Sequence, residues 1–486
     1  MNNIPIEDLN NNLSSSIDEY LNNNDRNNIN NEIIASTIHD SEALMILIQM
    51  MEDEEDLSLN NNNKQKWGGS RPGKAPNKER DFDMAYNKLV KDYFSGDESV
   101  YSEVDFETRF RVSRVVFNTL YNEVYGVDPF IQKYDAVGKK GIHPLVRFTA
   151  CFRMIAYGDS FDREDENFRL SGSALRPSFK SFCKIIYNKF SDKYLNRTPN
   201  KLERESILKV NAKRGFPGLL ASWDCSHFEW HKCPIQLHGQ FKNGRYKGKT
   251  IVLEAVVDCY LRIWYAHFGF PGTLNDINIL GKSNIVFDIL DGKFDLKTDP
   301  YIINGYERDY LYFLVDGIYP PWSIFINSYD HSTTDKQKYF AKQQEAVRKD
   351  VERVFAVLST KFQILSRPFR LWELSDINEV MVACVIIHNI QVEFRINEIG
   401  EDAQIDENNL HYEKQLNNND DNVVGDVFLF DHVYDTNIKN YLDRRIAYMN
   451  SNVRDEKKHH ELKRDLTEHI FDNKERIYMY NNRKNK

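Results

Sequence analysis

A chain of 486 residues with 41% hydrophobic and 13% aromatic side chains has the apolar mass for about two or three domains with sizeable cores. No run reaches the ~18 apolar residues of a membrane span, and Met1–Asn12 lacks a basic start followed by an apolar core, so a soluble intracellular protein without membrane contact is expected. The net charge of −9 is unevenly spread: residues 1–60 hold thirteen acids against Arg26, a sum of −12, which leaves about +3 for the rest.

Residues 1–66 form an Asn-rich acidic tail, with runs at Asn10–Asn12, Asn22–Asn24 and Asn60–Asn63, and read as disordered. Within the tail, Asn31–Met51 has the apolar content of a short docking helix. From Trp67 the composition shifts to a Gly, Pro and basic linker that opens a helical domain over 67–205. Apolar residues three and four apart recur in FRVSRVVFNTLYNEVY and HPLVRFTACFRMIAYG, and His143–Tyr157, Arg163–Leu170 and Ser171–Phe190 suggest three consecutive helices. Such a cluster fits a helix-turn-helix-like module or a purely structural bundle equally well.

From Phe216 the period changes, and residues 206–400 read as an α/β domain. LLASWDC, TIVLEAVVDC and RIWYAHFGF are β-rich runs broken by polar turns, which predicts three antiparallel strands. LNDINILGKSNIVFDIL follows as a helix, YLYFLVDG as a buried strand and Lys336–Leu365 as a long helix. This order predicts an RNase H-like mixed sheet flanked by helices. Residues 401–436, with ten acids against Lys414, read as a mobile insert, and 437–486 as a basic helical segment.

Four acids stand out because each sits among apolar residues: Asp224 in SWDCSHF, Asp276 in LNDINIL, Asp316 in FLVDGIYP and Glu352 in KDVERVF. A carboxylate in such a setting loses hydration, and several that converge repel one another unless a cation compensates them. Mg²⁺ or Mn²⁺ takes oxygen ligands, and two such ions can activate an attacking oxygen and stabilise the leaving oxygen of a phosphodiester. Taken singly, each acid reads as an ordinary cap or turn residue; four in matching contexts point to a metal-dependent nuclease. Between Lys201 and Thr250 ten Lys and Arg stand against four acids, and Lys242, Arg245, Lys247 and Lys249 are the candidate phosphate contacts, the other reading being a solvated face. Arg348, one helical turn before Glu352, is placed to pair with it or with a phosphate.

Other residues read more plainly. Cys151, Cys183, Cys225, Cys233, Cys259 and Cys384 sit in apolar segments, as reduced buried thiols do. Cys225, His227, His231 and Cys233 are zinc-binding types, but along a strand they would spread across ~26 Å at ~3.3 Å per residue. Glu229 is expected in a cross-strand salt bridge, Asp258 in a turn, and His388 and Asn389 as satisfied polar groups of a core helix.

RPGKAPNKERDF, DYFSGDESVYSEVDFETRFRVSR, SWDCSHFEWHKCP, FPGTLNDINIL, FLVDGIYP and QQEAVRKDVERVFAVLSTKFQIL, in this order over about Trp67–Glu393, resemble the PIF/Harbinger transposase family and its domesticated nuclease relatives. The resemblance implies an RNase H-like DDE endonuclease domain behind a helix-turn-helix-like one. By motif it makes Asp224, Asp276 and Glu352 the catalytic acids, with Asp316 a further metal ligand. It further implies DNA as substrate, action as at least a dimer, a Myb/SANT-like accessory protein and a nuclear location. A domesticated DNA-binding or scaffold protein without turnover is the alternative. Related bacterial transposases carry a basic residue seven positions after the glutamate, where this chain has Ser359, with Lys361 two further on.

Overall fold

The computed structural model describes residues 78–399 and 453–483. The acidic tail with its docking segment, most of the linker, the 401–436 insert and the start of the C-terminal segment lie outside the described residues. The chain divides into a large unit, Arg80–Asp276 with Phe287–Lys486, and a small one that includes Ile277–Val286. The large unit carries the sheet.

Seven α-helices among the described residues precede the first strand: α1 (Phe82–Tyr93), α2 (Glu103–Phe110), α3 (Arg114–Val124), α4 (Pro144–Tyr157), α5 (Glu164–Phe168), α6 (Gly172–Tyr194) and α7 (Lys201–Lys213). Their starts are encoded locally. Ser102 with Asp105 and Asn200 with Glu203 form reciprocal capping boxes at α2 and α7, satisfying backbone N–H groups that have no partner within the helix. Pro144 stands in the first turn of α4, where its missing N–H costs nothing, and Leu145 N–H donates to His143 Nδ1 at 3.1 Å. The apolar faces meet in an aromatic core: Phe117 lies edge-on to Phe106 at 5.3 Å and to Phe148 at 5.0 Å.

The strands β1 (Leu219–Glu229), β2 (Thr250–Val257) and β3 (Ile263–Pro271) follow, with a short helix α8 (His238–Phe241) in the β1–β2 connection. The three pair antiparallel, as the alternation of apolar runs and polar turns predicts. β2 lies between the other two and is buried along its whole length, which suits its Val and Ile content. Next come α9 (Asp276–Gly281), α10 (Asn284–Leu290), a hairpin of β4 (Lys297–Ile303) and β5 (Tyr306–Tyr310), then β6 (Tyr312–Leu314) and β7 (Phe325–Ile326). The single helix expected over LNDINILGKSNIVFDIL is two, separated at Lys282 and Ser283. β6 pairs parallel with β1 and β7 parallel with β6, giving a five-stranded mixed sheet in the order β3-β2-β1-β6-β7.

The long helix α11 (Asp335–Lys361) is capped by Thr334 with Gln337 and lays Val347, Val351, Val354 and Leu358 as a buried stripe on the sheet. Phe362 leaves helical geometry at φ −113°, ψ 92°, and a single turn α12 (Gln363–Ser366) completes the segment expected as one helix. α13 (Leu374–Ile399) carries a central run, Val380–Ile387, that is apolar all round, and Leu374–Glu398 is the one stretch of the described residues long and apolar enough to cross a membrane. Here it packs between α6 and β3, with Met381, Ala383, Cys384, Val385, Ile386 and Ile387 fully buried, as a core helix does. Near the C-terminus, α14 (Glu456–Asp472) packs against α11, and α15 (Lys474–Arg483) follows. Leu462, Leu466 and Ile470 join Phe216, Phe340 and Val347 in one cluster, while Arg308 pairs with Asp465 at 2.5 Å and Lys336 with Glu468.

Candidate functional site

β1 and β6 run parallel until the pair Ser222–Leu314, after which β6 ends and β1 continues. Asp224 and Asp316 each lie two residues past that pair (224 − 222 and 316 − 314), Asp316 just beyond the C-terminal end of β6 and Asp224 on β1 where its parallel partner has stopped. That edge is where open α/β sheets present their ligand sites. Asp276 is the first residue of α9, just after β3, and Asp224, Asp276 and Asp316 act on one another electrostatically.

Burial is the main reason why the Asp224 carboxyl is pushed up to about 6. The N–H of Cys225, donating to Asp224 Oδ1 at 2.8 Å, and the Arg348 guanidinium hold it down; Asp276 and Asp316 push it further up. Asp276 is raised too, first by burial and then by Asp316, against the pull of Arg245 and a hydrogen bond with Cys225. Keeping this cluster ionised therefore costs the folded chain energy, which nearby positive charge offsets.

Part of that charge is already present. Arg348 Nη1 stands 3.0 Å from Asp224 Oδ2 and Arg348 Nη2 2.7 Å from Glu352 Oε1, so one guanidinium joins the strand acid to the helix acid. Asp224 and Arg348 are largely buried, whereas Glu352 is 43% exposed. Among the described residues no three acids, histidines or cysteines stand close enough to grip an ion as they are. The donors are nevertheless all oxygens on converging elements, the chemistry that hard divalent cations take.

The basic turn lies beside these acids. Lys242 bridges to Lys249 across it, and Arg245 acts on both Asp276 and His227. None of Lys242, Arg245, Lys247 and Lys249 forms an ion pair among the described residues. Lys361 does not stand in for the basic residue absent at Ser359: burial pulls it down to about 7, and its charged neighbours are Arg395 and Glu107.

The zinc-type residues do not gather, because β1 stays extended through Glu229 and His227 Nδ1 lies 3.0 Å from the Thr250 hydroxyl. Glu229 has no ion pair among the described residues and instead lies against Gly248, where an added Cβ would come within 2.5 Å of Oε1. Asp258 is the turn residue expected: its Oδ1 accepts from the N–H groups of Tyr260 and Arg262, and its Oδ2 from Trp264 Nε1. His388 Nε2 lies 2.8 Å from Leu261 O and Asn389 joins β3 to Tyr194, both inside the core.

Two residues of the site went unread in the sequence. Glu254, fully buried on β2 opposite Cys225, accepts from Trp223 Nε1 at 3.0 Å. Tyr319 OH lies 3.7 Å from the Cys225 thiol, which in turn meets Asp276. For Glu254 the available signal was a lone carboxylate in the middle of an unbroken apolar strand.

Residues 192–398 match the model of a family described as plant transposon protein, and residues 86–125 match a domain of unknown function. Over 318 residues the chain is 22% identical to Protein ALP1-like of Arabidopsis thaliana, covering 64% of this chain and 75% of that protein. No solved structure matches. All four acids and the basic turn fall inside the matched 192–398 segment, and the two matches support a likeness to Harbinger-derived, DDE-like transposases.

Proposed function

We propose that this chain is a DNA transposase or derived endonuclease with an RNase H-like catalytic domain, the helices before β1 forming a helix-turn-helix-like module that reads DNA. Asp224, Asp276 and Glu352 are the residues that would hold Mg²⁺ or Mn²⁺, and Asp316 supports them directly or through Asp224 and Asp276. Bound there, a pair of such ions supplies an activated attacking oxygen and a stabilised leaving oxygen. The reading rests above all on Asp224 and Asp316 standing two residues past the same strand pair, with Asp276 in electrostatic reach of both.

The chain's own groups have distinct parts. Lys242, Arg245, Lys247 and Lys249, none of them in an ion pair among the described residues, draw the phosphate backbone toward the acids. Cys225 and the N–H it donates keep Asp276 and Asp224 oriented. Arg348 balances the charge of Asp224 and Glu352, and its guanidinium would be available to a phosphate if those acids held a divalent cation instead. DNA is the partner, at least a dimer is needed to hold two ends, and a Myb/SANT-like protein assists import into the nucleus.

The purified chain should nick supercoiled DNA with Mn²⁺, and Asp276→Ala should abolish nicking without loss of fold. Undiminished nicking by that variant overturns the assignment. The contact of Arg348 with both Asp224 and Glu352 favours a second reading, a DNA-binding scaffold whose site is permanently closed. In that case Mn²⁺ titration followed by electron paramagnetic resonance shows no binding while DNA binding persists.

A further inference from the structure

Along β1 beyond the carboxylates lies a cavity of about 410 Å³. Its walls come from β1, the basic turn, the end of α11 and the segment after it, and include His227, Glu229, Tyr246, Lys247, Ser359 and Arg367. The rings of His227 and Tyr246 stand 4.7 Å apart at 32°, close to stacked. His227 is held by Thr250, whereas Tyr246 is 45% exposed and so contributes little to the core. Burial and Arg245 lower His227, which keeps its ring neutral.

Charge at the cavity is mixed. Lys247 has no ion pair among the described residues, and Arg367 is pinned by Asp159 at 3.0 Å. Glu229 adds a carboxylate without an ion-pair partner among the described residues. An apolar ligand has no use for this lysine, and a simple anion has none for the rings and is repelled by Glu229. The volume lies at the low end of the ~300–1,000 Å³ typical of small-molecule sites, enough for a base and sugar. His227 follows Cys225, which meets Asp276, by two residues on the same face of β1, or ~7 Å at ~3.3 Å per strand residue, and Arg245 acts on both Asp276 and His227, so a strand with a phosphate at Asp276 has the cavity mouth within reach.

We propose that this cavity receives one unstacked nucleobase of the bound DNA strand, laid against the His227–Tyr246 pair, with Lys247 on its phosphate and Glu229 accepting from an amine on its edge. The proposal rests on the DNA reading above. Stacking on an aromatic side chain is strong and tolerant of sequence, because every base offers a π face.

The test uses the full chain with Ca²⁺ in place of Mg²⁺ and a forked duplex carrying 2-aminopurine at the unpaired position. Anisotropy reports binding, and 2-aminopurine fluorescence reports stacking. The wild type should bind and quench the probe; Tyr246→Ala should lose the quenching and bind about 5- to 150-fold more weakly, the range of one stacked base. Tyr246→Phe, which keeps the ring, should behave as wild type. Binding without quenching, or quenching that survives Tyr246→Ala, overturns the base site and leaves DNA binding standing. No binding by the wild type overturns both.

Discussion

Asp224→Asn should make the metal-free protein more stable while removing a metal ligand. An ordinary aspartate ionises near 3.8, and Asp224 is pushed up to about 6. At about 1.4 kcal/mol per pH unit, keeping it ionised costs the folded state about 3 kcal/mol. Asparagine mimics the protonated acid, and its side-chain oxygen can still accept from Cys225 N–H. Because the folded value is raised, the native wild type holds a proton that the unfolded chain has released between about 3.8 and about 6. Its stability therefore falls as pH rises through that window and stays lower above it. Urea unfolding in EDTA should show the variant ahead by about 2 to 3 kcal/mol at neutral pH, with the gap closing toward pH 4. A variant no more stable than wild type at neutral pH, or a gap that acid leaves unchanged, refutes the account of Asp224 as a desolvated, repelled carboxylate.

Arg348→Ala releases Asp224 and Glu352 from their shared guanidinium, and Mn²⁺ should then bind at least about tenfold more tightly by calorimetry, since a charge-assisted hydrogen bond is worth ~1.5 kcal/mol or more. Weaker binding would mean that Arg348 organises the ligands rather than competing with the ion. Replacing Lys242, Arg245, Lys247 and Lys249 together by alanine should flatten the dependence of log DNA affinity on log salt by about 0.9 for each phosphate that the variant no longer neutralises. An unchanged slope would assign the backbone contacts elsewhere.

The strands β1, β2 and β3, and the place of Asp224 on the first, were legible because both signals are local: a carboxylate inside an apolar run, and alternation broken by polar turns. The parallel partnership of β1 with β6 was not. Some ninety residues separate the two, and nothing within either run states its partner. The β4–β5 hairpin was readable and missed: Asn304 and Gly305 adopt φ of 50° and 82°, the left-handed pair that an Asn-Gly turn supplies. Arg348 was legible only as a choice between acid and phosphate, since α-helical spacing brings it to Glu352 while its reach to Asp224 depends on how α11 crosses the sheet. Lys361 offered the opposite lesson, a basic residue near the right position whose side chain turns toward Glu107 and Arg395.

The matched segment ends at residue 398, yet the helix that bears Glu352 is wedged from its other flank by residues beyond 455. Leu462, Leu466 and Ile470 fill the space beside Val347 and Phe340, and Asp465 and Glu468 tether Arg308 and Lys336. The family-matched module is thus covered by further chain: α14 returns as a buttress, and a piece trimmed to 192–398 would open Phe340 and Val347, at the base of the Glu352 helix, to water.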